Sequence, residues 1–88
     1  MKQRFYYMNA VLGTEFDKYL VEHPEVAERI PTGAIVILMP EDDPELAHWN
    51  LEVARQQRTP GQPLVCVHIR ELAPERSRLV NPTLEMVE

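Results

Sequence analysis

Ala34-Ile35-Val36-Ile37-Leu38-Met39 is an unbroken apolar run rich in β-branched residues. Such side chains suit a pleated strand. Apolarity that does not alternate predicts a strand covered on both faces, as in a parallel sheet packed by helices. Pro40 ends the run, and Asp43-Pro44-Glu45 follows. An aspartate cap, a proline in the first turn and an acid that suits the helix dipole predict a helix start. The helix should run from Pro44 to about Arg58. Its inner face would carry Leu46, Trp49, Asn50, Val53 and Ala54, with Leu51 and Gln57 at the margins. Thr59-Pro60-Gly61-Gln62-Pro63 reads as a turn. Leu64-Val65-Cys66-Val67-His68-Ile69 reads as a second strand, again apolar on both faces. Strand, helix and strand predict a right-handed crossover with parallel strands.

Upstream, Phe5, Met8, Leu12, Phe16, Tyr19 and Leu20 recur at helical spacing. Gly13-Thr14 interrupts the stripe, and Thr14 can cap a fresh start with Asp17 three residues on. One kinked helix or two are expected, the second from Thr14 to Glu22. His23-Pro24 breaks the pattern. Pro24 suits the first turn of a short helix to Arg29 that buries Val26, Ala27 and Ile30. Pro31-Thr32-Gly33 is a turn. The expected class is therefore α/β: N-terminal helices, then a βαβ unit with a small, mainly parallel sheet. Two strands make a poor sheet by themselves, so dimerisation or the C-terminal tail should complete it. Residues 1–73 form the predicted domain and 74–88 a tail or arm.

The chain has 88 residues, enough for one domain. Its net charge is −5, and its basic residues are interleaved with acids, which argues against nucleic acid. Arg70, Arg76 and Arg78 cluster, but Glu71 and Glu75 lie among them. No apolar run approaches the ~20 residues of a membrane span. The N-terminus lacks the apolar core and cleavage site of a secretory leader. The single cysteine, Cys66, excludes an internal disulfide and suits the cytoplasm.

Chemistry is sparse. Ligands of open α/β sheets sit at the carboxyl ends of the strands. There the chain puts Glu41, Asp42 and Asp43 where a phosphate cradle would want glycines. These carboxylates repel phosphate but are candidate ligands for Mg²⁺. The plainer reading is that Asp43 caps the helix and the other two are solvated. His48 and Glu52, one turn apart, are a candidate surface pair. Cys66 and His68 share a strand face, as half of a metal site or, more plainly, as a buried structural pair. Ser77, the one serine, lacks a nucleophile motif. Trp49, Asn50, His68 and Arg70 are candidate interaction residues. No catalytic residue and no cofactor emerge.

Glu15-Phe16-Asp17-Lys18-Tyr19-Leu20, His23-Pro24-Glu25, Ile30-Pro31 with Gly33-Ala34, Asp43-Pro44-Glu45-Leu46 and Asn50 together resemble a family of small prokaryotic proteins of unknown function. The resemblance spans about Thr14 to Ile69. It implies a bacterial or archaeal intracellular protein and brings no activity, cofactor or catalytic residue. The expected function is a non-enzymatic protein–protein interaction or accessory module, a homodimer with a possible protein partner. The alternative is a small-ligand or metal-binding domain built on the acidic turn.

Overall fold

The strand–helix–strand unit forms where the apolar runs predict it. The computed structural model describes residues 2–74 and 79–87. Its order is α1 (Lys2–Glu22), α2 (Pro24–Ala27), β1 (Ile35–Pro40), α3 (Pro44–Gln57) and β2 (Leu64–Ile69). The strands pair in parallel, from Ile35 opposite Leu64 to Pro40 opposite Ile69. The Ile35 N–H donates to Pro63 O (2.9 Å) and the Glu41 N–H to Ile69 O (2.7 Å). By the alternation of a ladder, the odd-numbered residues of β1 turn their backbone groups to β2, and the even-numbered ones turn them to the outer edge. Pro40 is even-numbered, so its missing N–H costs the ladder nothing.

Each strand is entered through a tight turn. Ala34 N–H reaches Pro31 O at 3.2 Å and Gln62 N–H reaches Thr59 O at 3.1 Å. Gly33 (φ 79°) and Gly61 (φ 80°) hold the left-handed positions that such turns require of a residue without Cβ. Gln62 staples the two turns together. Its Nε2 donates to Gly33 O (2.9 Å), and its Oε1 accepts the Thr59 N–H (3.1 Å).

The register puts Ile35, Ile37, Met39, Leu64, Cys66 and His68 on one face and Val36, Leu38, Pro40, Val65, Val67 and Ile69 on the other. α3 covers the first face over β1, where Ile37 is buried. The C-terminal half of α1 and α2 lie along the second face, beside Val65 and Val67. Leu12, Ile37, Leu46 and Ala54 are the buried hydrophobic residues among those described.

Four expectations change. α1 runs through Gly13-Thr14 without a break. A helical glycine costs only about 1 kcal/mol relative to alanine, and Leu12 and Phe16, on one side of it, hold both turns on the same surface. α2 ends at Ala27, which is exposed. β2 is not covered on both faces, because α3 sits over β1 and leaves Cys66 and His68 exposed. The tail residues described, 79–87, form no strand, so the sheet stays two-stranded.

Candidate functional site

Asp43 of the acidic turn is already engaged. Asp43 accepts the Leu46 N–H at 3.3 Å as the cap of α3. Its other oxygen takes Arg4 Nη1 at 2.6 Å, while Arg4 Nη2 reaches Glu45 at 3.3 Å. The Arg4 hydrogen bond is the main cause that holds the Asp43 carboxyl below its ordinary value. Glu41 and Asp42 are exposed. Among the described residues no three of His, Cys, Asp and Glu converge to hold a metal ion. A cation at Asp43 would have to displace a guanidinium.

Trp49 and Asn50 face α1. The Trp49 indole packs on Phe5 (ring centroids 5.2 Å) and edge-on against Tyr6 (5.7 Å), separations at which aromatic pairs attract. Asn50 Nδ2 donates to the outer-edge carbonyl of Leu38 at 2.8 Å. The same amide forms a reciprocal pair with Asn9, each Nδ2 giving to the other's Oδ1 at 2.9 Å. The outer edge of β1 is therefore closed over its C-terminal half: Leu38 O and Pro40 O are bonded, Pro40 has no donor, and α1 lies alongside, while Val36 has no edge partner among the described residues.

β2 is treated differently. The even-numbered residues Leu64, Cys66 and His68 direct their backbone groups away from β1. None of these groups has a hydrogen-bond partner among the described residues. Along the Val65–Val67–Ile69 face runs an apolar groove of about 630 Å³. Leu12, Phe16 and Tyr19 of α1 form one wall and Val26 and Ile30 another, with Glu15, Arg29 and Glu71 at the rim. Glu15 is paired with Lys18 at 3.0 Å, whereas Arg29 has no ion pair with a described residue.

The structure thus divides the predicted interaction residues. Trp49 and Asn50 hold α1 on the sheet. His68 and Arg70 are exposed on and just after β2. Cys66 and His68, expected as a buried pair, lie open instead. His48 does not pair with Glu52, which takes Arg55 at 3.2 Å. Arg76 and Arg78 lie outside the described residues. The groove is the feature the residue patterns missed, since of its walls only Val26 and Ile30 were expected to be buried. The signal was helix length: 21 residues span about 30 Å, against about 20 Å for a six-residue strand, so part of the apolar stripe must overhang.

Among the described residues no helix is long and apolar enough to cross a membrane. No curated protein and no solved structure matches the chain. The profile of DUF5647, a family of unknown function, matches residues 4–82, covering every described helix and strand bar the first two residues of α1, and the chain belongs to that family.

Proposed function

We propose that this chain is a non-enzymatic interaction module that works as a homodimer and engages protein through β2 and its groove. The observation that carries this is the edge of β2, whose Leu64, Cys66 and His68 backbone groups have no partner among the described residues, beside an apolar groove of about 630 Å³. A non-catalytic role is further supported by Asp43, the one carboxylate of the acidic turn that is not exposed, which is taken up by Arg4 and the helix cap.

The test is size-exclusion chromatography with light scattering at micromolar protein. A mass of twice the chain is expected. A monomer throughout the micromolar range would overturn the homodimer.

A further inference from the structure

We propose that a second copy of this chain pairs antiparallel with the free edge of β2, about a twofold axis at Cys66. The inference rests on the homodimer reading above and adds its geometry.

The first argument is the contrast between the two edges of the sheet. On β1, Asn50 takes the Leu38 carbonyl, Asn9 holds Asn50, and Pro40 removes a donor. On β2, no charged residue, proline, bulge or covering element among the described residues protects the edge. The strand contains no Lys, Arg, Asp, Glu or Pro between Leu64 and Ile69. It pairs residue for residue with β1 without a bulge. Its side-chain faces are open too, with Cys66 and His68 exposed and Val65, Val67 and Ile69 half-buried along the groove.

The second argument is that the edge matches itself. Closed dimers are twofold, and an interface of that symmetry meets its own copy. Residues that point both N–H and C=O outward pair as hydrogen-bonded couples in an antiparallel ladder. On β2 these are Leu64, Cys66 and His68, evenly spaced about Cys66. An axis there sets Cys66 opposite Cys66 of the second copy and Leu64 opposite its His68, making about six backbone hydrogen bonds. On the groove face Val65 meets Val67 of the second copy, an apolar cross-strand pair. The small sheet becomes four strands, with β1 and its partly capped edge outermost on each side. Because the axis is perpendicular to the sheet, both grooves open on the same side of it. Each protomer then extends the apolar floor of the other.

The experiment combines light scattering with thiol linking in the full chain. Unmodified protein should be dimeric and should link through Cys66 on mild oxidation. In a Cys66→Ser background, copies carrying Leu64→Cys and copies carrying His68→Cys should link to one another and not to themselves. Cys66→Lys sets like charges face to face and should weaken the dimer at least about tenfold. Circular dichroism on each variant checks the fold. A dimer that ignores Cys66→Lys and shows no preference for 64–68 links overturns the edge pairing while leaving the homodimer intact. A dimer lost on deletion of 80–88 but not in Cys66→Lys assigns the interface to the tail and overturns it as well. A monomeric wild type overturns both readings.

Discussion

Replacing Asn50 by alanine should cost about 2 kcal/mol, and the structure supplies the arithmetic. The substitution deletes three hydrogen bonds, two in the reciprocal amide pair with Asn9 and one to Leu38 O. Each contributes about 1 kcal/mol net in a part-buried setting. Alanine returns about 0.6 kcal/mol of helix propensity, and water can reach the freed Leu38 carbonyl, which lowers the cost further. Asn9→Ala deletes only the pair and should cost about 1 kcal/mol. The two changes share their bonds, so the double variant should be little worse than Asn50→Ala alone, with a coupling of about 1 kcal/mol. Urea denaturation followed by circular dichroism reads this, at one fixed protein concentration because association adds to apparent stability. In melting the single change amounts to roughly 8–16 °C for a domain of this size. A loss under about 0.5 kcal/mol for Asn50→Ala, or strict additivity with Asn9→Ala, would refute the view that this amide pair closes the β1 edge.

Three other outcomes follow from particular residues. A Cβ added at Gly13 meets nothing within 4 Å, and the helix there is unbroken. Gly13→Ala should therefore stabilise by about 0.5–1 kcal/mol in the same denaturation; a loss would mean that the glycine is needed for a close contact. Asp43 titrates lower when folded, chiefly through the Arg4 hydrogen bond. Its contribution is thus present above the unfolded value near pH 4 and is lost as pH falls through the lowered folded value. Asp43→Asn keeps a competent cap and should flatten that acid limb; an unchanged pH profile would remove Asp43 from it. Finally, Val80, Leu84, Met86 and Val87 are 86%, 98%, 89% and 83% exposed. Ending the chain after Leu79 should therefore leave the melting temperature of the rest unchanged, and a fall of several degrees would mean that the tail packs.

The parts of the fold legible in sequence were those written in neighbouring residues. The strand run 34–39, the Asp43-Pro44-Glu45 start and the Pro60-Gly61 turn are each local statements, and each is found in place, with the strand shifted by one residue. What failed to read through were the statements that need two distant segments. Asp43 was legible as the cap of α3 and is found so, but Arg4, 39 positions away, gives no local sign of being its partner. The bonds of Asn50 were equally hidden, because its partners are Asn9 and a strand carbonyl. β2 has the composition of a buried strand, yet α3 lies over β1, and no local pattern tells which strand a crossover helix will favour. The same composition becomes intelligible if the missing cover is another chain.

The amide pair also bears on how the chain comes to be folded. Asn9 and Asn50 are 41 residues apart, and the Phe5–Trp49 and Arg4–Asp43 contacts have a similar reach. Such contacts close a long loop and gain nothing until both ends exist. A ribosome delivers α1 first, well before any of the side chains that hold it. For that interval an apolar helical stripe has no sheet to rest on. The strand–helix–strand unit, by contrast, is joined by short turns and a staple from Gln62. α1, made before that unit, is therefore the element whose place beside it is decided last.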